Sequence, residues 1–515
     1  MPGKSLAHIR GLSVALPDES VVVSATNLHV CSGEVVALLG PSGAGKTTLL
    51  RGMFGPEELR DRGYVVSWSE RDIAAEPAFV PQRGALLDHL DVRGNIALAQ
   101  AGGGSKGDPA IWLRAVDLDE NIGARGRSVA ALSGGQAQRV AVARVLAAGR
   151  KLVVMDEPSV GLDPVGVRLL ARLLVQQSRK HDAGIIVITH DLSLAAGASD
   201  RILFLDPALK SLVDAAPKWS GPAELDELDV RRKKLMELEG AVEDLLLAER
   251  PDASAGHARS ATRFDLLAPF HTAGEALARA LDPHLFMESA VIFRRTFTTS
   301  FIRPSLFYGT VGALLGFTVP YVISNISHDL RPAAVFELIK GTYVLSLAPP
   351  LSAIIFAATS GSAINAWLGE LRLQGQITAL EGLGVPPERY VWAPTWMALA
   401  TGYLATFVVF TLAMMFGGWC LYSAYGVPDA LAMIAADFTS PPPSRIPYLA
   451  RGLWSVGIYT LAIASMVVSK GREDKNRSEE VTKAMTSSVM RVTLFVVVME
   501  LLSVLLLRLW EMIGG

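Results

Sequence analysis

The chain has 515 residues, half of them hydrophobic, a formal net charge of −2 and two cysteines. The length predicts several domains. The charge argues against a strongly basic nucleic-acid binder, and Cys31 and Cys420 are too few for a disulfide framework or a metal finger. Mean hydropathy is +0.34, high for a soluble protein, and the excess lies beyond about residue 285, where long apolar runs carry few charges. This pattern predicts a soluble half followed by a membrane half. Met1 to Arg10 lacks the apolar core of a signal peptide, so residues up to about 275 are expected in the cytosol.

Ile9 to Val30 is strand-like, and Val35 to Leu39 reads as a buried strand. Gly40-Pro41-Ser42-Gly43-Ala44-Gly45-Lys46-Thr47-Thr48 follows, and Thr48-Leu49-Leu50 starts a helix. This is the phosphate-binding loop G-x-x-x-x-G-K-[ST] in the strand–loop–helix setting it requires. Small residues let successive backbone N–H groups turn onto the phosphates of ATP at a helix N-terminus. Lys46 is expected on the β- and γ-phosphates, and the Thr47 hydroxyl on Mg²⁺. Gln82, in Phe79-Val80-Pro81-Gln82 at a strand end, is placed to ligate the metal and contact the nucleotide. Ala101-Gly102-Gly103-Gly104-Ser105 reads as a flexible loop.

Leu132-Ser133-Gly134-Gly135-Gln136 opens a helical apolar pattern. Here the chain resembles the ATP-binding cassette (ABC) family, whose signature is LSGGQ. In that family Ser133, Gly134, Gly135 and Gln136 would face a phosphate held by the opposite subunit. Leu152-Val153-Val154-Met155-Asp156-Glu157-Pro158 is a buried strand ending in two acids. Asp156 would hold Mg²⁺ through water, and Glu157 would polarise the attacking water as general base. A strand ending in a helix cap is a compatible reading. Ser159-Val160-Gly161-Leu162-Asp163 resembles the family's D-loop, with Gly161 where alanine is usual. His190, after the strand Ile185 to Thr189, matches the switch histidine that contacts the γ-phosphate. The family's adenine-stacking aromatic has Ala15-Leu16-Pro17 in its place. The resemblance covers residues 6 to about 212 and implies a hydrolysing ATPase that pairs two chains, most simply as a homodimer.

Glu224 to Arg250 is dense in charge, with Leu228, Leu235, Leu238, Val242 and Leu245 at heptad-like spacing. It reads either as a helix lying on its own ATPase domain or as a clasp on a second subunit. Pro251 to Thr262 is small and polar, a connector.

Leu285 to Phe301, with Arg294 and Arg295 among aromatic and aliphatic residues, is expected as an interfacial helix. Five candidate spans follow, at about 304–324, 336–360, 391–417, 447–469 and 489–511. Pro349-Pro350 predicts a bend or break in the second. Lys470, Arg472, Lys475, Arg477 and Lys483 fall on the same side as the ATPase, as the positive-inside rule requires. The cytosolic loop 361–390 carries Gly361-Ser362-Ala363, Gly369-Glu370-Leu371-Arg372 and Ile377 to Tyr390. It reads as a short coupling helix beside the ATPase, or as a re-entrant helix without that role.

That loop, and Glu479 to Val489, resemble the MlaE-type permeases that work with MCE-domain lipid-carrier proteins. One departure is Leu347-Ala348-Pro349-Pro350-Leu351, where the family usually has an acid and a glycine–proline. The expected architecture is therefore an α/β P-loop NTPase over 1–215, a charged helical linker over 216–275, and an all-α permease over 276–515 with an interfacial helix and about five transmembrane helices. The resemblance implies ATP-driven movement of a lipid, phospholipid first, across a bacterial inner membrane, with ATP and Mg²⁺ as cofactors and an MCE-domain partner outside. Export of drugs or organic solvents, and a mechanical signaller without cargo, are the alternatives. Direction, and whether a small cytosolic regulatory subunit joins the ATPase, stay open at this level.

Overall fold

The computed structural model describes residues 3–514 except 42, 62, 75, 82–85, 104–106, 117, 120–121, 123–125, 218, 220, 223–227, 248–284, 327–331, 440–445 and 474–477. The chain forms two compact units. The first comprises Met1–Arg263 together with Gln374–Pro386, the second Phe264–Leu373 and Pro387–Gly515.

In the first unit, the strand-like stretch near the N-terminus is a hairpin. β1 (Ser5–Ala15) pairs antiparallel with β2 (Val21–Cys31). Its turn is closed by Leu16 N–H donating to Ser20 O at 2.9 Å. β3 (Val35–Leu39) is buried throughout and leads to α1 (Lys46–Phe54) and the short α2 (Pro56–Asp61). β4 (Val65–Ser67) and β5 (Glu70–Ile73) both pair with β1. β6 (Pro77–Val80) then precedes α3 (Val92–Gly103) and α4 (Ala110–Ala115). α5 (Gly134–Ala147), β7 (Leu152–Asp156), α6 (Pro164–His181), β8 (Gly184–Ile188) and α7 (Leu192–Ala198) alternate in α/β fashion. β9 (Arg201–Asp206) and β10 (Ser211–Asp214) close the second sheet, ordered β10-β9-β3-β8-β7-β6.

In that sheet β9, β3, β8, β7 and β6 run parallel. The three unbroken buried runs of β3, β7 and β8 are what a sheet covered on both faces demands. Leu38, Val154 and Ile186 on one face join Leu49, Leu50 and Met53 of α1 in a single core. α6 begins on Asp163, whose side chain accepts from Gly166 N–H, with Pro164 in its first turn.

α8 (Leu228–Leu247) lays its apolar stripe on this same unit. Leu238 is buried, and Leu235, Val242 and Leu245 pack beside Ala195, Ala196 and Phe204. The Lys234 ammonium sits 5.2 Å above the Trp219 ring and donates to Gly221 O. Four of the five heptad residues are thus covered by their own unit, and the Leu228 side chain lies outside the described residues.

The second unit is helical. α9 (Leu285–Phe297) is joined by a π-turn (Thr298–Ile302) to α10 (Ser305–Ile326). The expected interfacial helix therefore runs on into the first span, Ala290–Ile326. α11 (Pro332–Ile339) precedes α12 (Thr342–Phe356) and α13 (Ser362–Leu373). α14 (Gln376–Gly382) belongs to the first unit. α15 (Ala393–Ala424), α16 (Ala430–Thr439), α17 (Ile446–Arg472) and α18 (Ser478–Gly514) complete the chain. Among the described residues, five helical stretches are long and apolar enough to cross a membrane: Ala290–Ile326, Thr342–Leu373, Glu388–Ala424, Tyr448–Arg472 and Glu479–Leu506.

Two expectations change here. α12 continues through Pro349 and Pro350, and the break falls earlier, at Lys340 (φ 45) and Gly341. Pro349 frees the carbonyl of Leu345, and Gly452 of α17 packs so close that a Cβ there would lie 3.2 Å from that oxygen. Residues 361–373 are not a loop. They extend the second span through a π-turn (Ala357–Gly361) and α13. Packing of α10 on α15 uses Gly312 and Gly316, whose backbones meet the carbonyls of Phe410 and Met414. Small residues four apart permit that approach.

Candidate functional site

The phosphate loop leaves β3 through three glycines with positive φ: Gly40 at 153°, Gly43 at 82° and Gly45 at 94°. Such angles strain any residue with a Cβ. They open the loop so that the N-terminus of α1 faces it, while Ala44 N–H donates back to Pro41 O. Lys46 Nζ donates to Gly40 O at 2.8 Å and to Pro41 O at 3.0 Å, so the ammonium is wrapped in its own loop. Burial holds the Lys46 pKa below the usual lysine range, against the pull of Glu157 and Asp156. Thr48 continues α1. Ser42 and Gln82 lie outside the described residues.

Asp156 ends β7, two strands from β3 across β8. The Thr47 hydroxyl donates to Asp156 Oδ2 at 3.4 Å. Burial first, then the neighbouring Glu157, pushes the Asp156 carboxyl above the usual carboxylate range, while Thr47 and Lys46 pull it down. A buried acid that resists ionisation beside a threonine hydroxyl fits a divalent cation, whose charge would favour the carboxylate.

Glu157 turns the chain off β7 with φ 52°, and its N–H donates to Ile188 O of β8 at 2.8 Å. Its carboxylate is thereby aimed at the end of β8. There His190 Nδ1 lies 2.7 Å from Glu157 Oε2, and the His190 backbone N–H reaches the same oxygen at 3.4 Å. Asp191, next in the chain, caps α7 through Ser193 and Leu194 N–H. Lys46, Thr47, Asp156, Glu157 and His190 therefore converge at the C-terminal edge of β3, β7 and β8, the edge where open parallel sheets bind ligands.

The signature residues do different local work. Ser133 Oγ accepts from Gln136 N–H at 3.3 Å and Gln136 Oε1 accepts from Ser133 N–H at 3.0 Å, a reciprocal cap on α5. Among the described residues, Ser133, Gly134, Gly135 and Gln136 make no hydrogen bond with the phosphate loop. Gly135 lies against Gly161 and Leu162 of the D-loop. Gly161 has φ 77°, which explains glycine where the family usually has alanine.

α14 was legible only as a short helix near an ATPase. In the structure Ile377, Ala379, Leu380 and Leu383 are buried within the first unit. A Cβ on Gly382 would sit 2.8 Å from Phe79 of β6, and one on Gly102 would sit 2.6 Å from Leu383 O. Gly384 (φ 76°) meets the Arg150 guanidinium. Gly102, read as part of a flexible loop, instead lies in the last turn of α3 and forms this joint; residues 104 and 105 of that expected loop lie outside the described residues. Phe79, Gly102 and Arg150 were missed. The signal was the glycine at the end of an apolar helix, which marks a close backbone approach.

Residues 23–160 match the family described as ABC transporter, and residues 294–506 match Permease MlaE. The hemin import ATP-binding protein of Streptomyces coelicolor is 38% identical over 40% of this chain and 76% of its own length. The chain belongs to the ABC transporters. Its cassette is fused to an MlaE-type permease, and it is an ATPase. A zinc import ATP-binding protein of Paracoccus denitrificans is 34% identical over 40% of the chain and 81% of its own length. An aliphatic sulfonates import protein of Pseudomonas syringae pv. syringae is 36% identical, and the chain spans 64% of it. These relatives are ATP-binding proteins that each match two-fifths of the chain or less, and the cargoes in their names differ from one another. A solved ATP-binding subunit of an ABC transporter aligns over 47% of this chain and 98% of its own length, at 22% identity and a TM-score of 0.36. This ABC transporter is a multi-pass membrane protein with its cassette on the cytosolic side.

Proposed function

We propose that this ABC transporter moves a lipid, phospholipid first, at a bacterial inner membrane, together with an MCE-domain partner on the outer side. The observation that carries the reading is the MlaE-type permease over 294–506, joined in one chain to an ABC transporter cassette over 23–160. The spans carry few charges, which suits an amphipathic cargo.

In this reading two chains form a homodimer, because each cassette carries one phosphate loop and one signature. Lys46 and the loop N–H groups bind the β- and γ-phosphates of ATP, with Gln82 and the partner's signature completing the enclosure. Thr47 and Asp156 would hold Mg²⁺, which neutralises phosphate charge when bound. Glu157 orients and deprotonates the attacking water, and His190 holds the Glu157 carboxylate and reaches the γ-phosphate. Closure is passed through β6 and α3 to α14, whose packing on Phe79 and Gly102 supports a coupling role. A small regulatory subunit on the cassette is compatible with this scheme.

The test is mass spectrometry of the Glu157→Gln transporter purified gently from membranes. Stoichiometric phospholipid with a co-purifying MCE-domain protein is the expected result. An intact ATP-binding dimer with neither would move the reading to drug or solvent export, or to signalling without cargo.

A further inference from the structure

Between α12, α15, α16 and α17, all within the second unit, lies a cavity of about 320 Å³. That is roughly twice the ~150 Å³ apolar cavity known to take a benzene ring. Val344 and Ala348 form its buried floor, and Phe407 and Phe438 its sides. Among the described residues, no charged side chain lines it. Of the polar groups nearby, Pro349 O accepts from the hydroxyls of Tyr403 at 3.2 Å and Ser352 at 3.0 Å, and Thr439 Oγ1 donates to Ala435 O; Thr411 Oγ1, in the wall, is buried with no hydrogen-bond partner. One unpaired hydroxyl falls short of the roughly two to four polar partners that a buried water takes.

The mouth is rimmed by Val408, Leu412 and Leu453, exposed by 52%, 60% and 64%. These rim residues stand on membrane spans, so the solvent facing them is hydrocarbon. Val344 is close to the start of α12, and Leu453 to the start of α17. By the alternation of the spans both ends are on the side away from the cytosol. The opening therefore faces the outer half of the bilayer.

We propose that this cavity seats one hydrocarbon chain of the transported lipid, entering or leaving sideways through the Val408–Leu412–Leu453 mouth. The assignment rests on the reading of the cargo as a lipid. It adds where an acyl chain lodges, and it makes the second residue of Leu347-Ala348-Pro349-Pro350-Leu351 the floor of a largely apolar seat. Recognition there is by chain volume, not by charge, so headgroup selection has to occur elsewhere.

The experiment uses the full-length transporter in vesicles of phosphatidylethanolamine and phosphatidylglycerol, doped with a phosphatidylcholine that carries a diazirine in mid-chain. After irradiation, adducts are mapped by peptide mass spectrometry, and lipid transport is measured in parallel. Two variants alter the cavity: Ala435→Phe fills it, and Val408→Trp narrows an exposed rim position where folding is not at stake. ATP turnover in detergent serves as the control for folding. Adducts are expected to concentrate on 344–349, 407–415 and 449–453 over the exposed Leu501 and Leu505 of α18. Each variant should lower cavity adducts about tenfold, equivalent to about 1.4 kcal/mol of chain binding, and slow transport with them. Adducts spread evenly between cavity and α18 would mean surrounding bilayer lipid only and overturn the proposal. Cavity adducts lost in both variants with transport unchanged would make the chain a resident lipid and overturn its role as cargo seat, leaving the lipid reading intact. A wild-type protein that moves no lipid sinks the cargo reading itself, and the seat with it.

Discussion

His190 Nδ1 sits 2.7 Å from Glu157 Oε2, with the imidazole largely exposed and the carboxylate buried. The pair joins the ends of two neighbouring strands, β7 and β8. The backbone reinforces it, because Glu157 N–H donates to Ile188 O and His190 N–H returns to the Glu157 carboxylate. Glu157→Gln keeps the shape and removes the base. Steady-state ATP hydrolysis is expected to fall about a hundred- to ten-thousand-fold, while equilibrium binding of ATP persists. His190→Ala should lower turnover, since it frees the Glu157 carboxylate and removes the reach to the γ-phosphate, while the phosphate loop that binds ATP is untouched. Retention of full activity by Glu157→Gln would remove Glu157 from the chemistry.

Asp156 supplies a prediction for stability. Its folded-state pKa is raised, chiefly by burial, so the folded cassette holds a proton that the unfolded chain releases. Between the unfolded and folded values the native state binds more protons, and stability falls as pH rises through that window. Asp156→Asn removes this penalty. Without nucleotide, the variant should melt above the wild type at neutral pH, and the gap should close as the pH drops below the ordinary carboxylate range. With MgATP the order should reverse, because the wild type alone gains from the cation. Thermal scans across pH, with and without MgATP, measure both effects.

The joint at α14 is tight enough to test with one methyl-bearing substitution. A Cβ at Gly102 would lie 2.6 Å from Leu383 O and 2.8 Å from a Val385 methyl. Gly102→Val overpacks that contact, a change that costs about 1–3 kcal/mol. Less lipid should move per ATP hydrolysed, because the phosphate loop and Glu157 are untouched. An unchanged ratio of transport to hydrolysis would show that the contact carries no coupling.

Within the membrane unit, Arg451 of α17 pairs with Glu500 of α18. Arg451 Nε also donates to Ser503 Oγ at 2.9 Å, and the Tyr459 hydroxyl donates to Glu500 Oε1 at 2.7 Å. Both charged side chains are mostly buried. Removing one leaves the other charged and enclosed, which costs about 3–5 kcal/mol. Arg451→Leu should therefore lower the melting temperature strongly, and Arg451→Leu with Glu500→Leu should recover most of the loss. Equal destabilisation by the single and double variants would assign the effect to packing.

Much of the ATPase was legible because its chemistry demands particular residues at particular points. Glycine at 40, 43 and 45 answers a backbone requirement, and the paired acids at 156 and 157 end a buried strand. Five spans were legible because twenty apolar residues in a row have few other uses. Tertiary contacts were harder to read. Pro349 and Pro350 read as a bend or break from local rules, but α12 runs on through them, with Gly452 of α17 packed close to the carbonyl of Leu345 that Pro349 frees. The Ser133–Gln136 cap was present in the S-x-x-Q spacing but was hidden behind the nucleotide reading of the same residues. Gly312 and Gly316 show their use only once Phe410 and Met414 are known to lie opposite.

Segment 374–386 packs with the cassette, although the residues on either side of it belong to the membrane unit. The chain therefore leaves the cassette, enters the membrane and returns to the cassette before entering the membrane again. Docking of α14 is an intramolecular event, with an effective concentration of about millimolar or above for a short tether. A cassette supplied as a separate subunit would leave when its joint weakened. Here it cannot leave, so the stoichiometry of motor to channel is set at synthesis. Damage to the joint at Gly102, Gly382 or Gly384 should accordingly appear as wasted ATP in an assembly that stays whole.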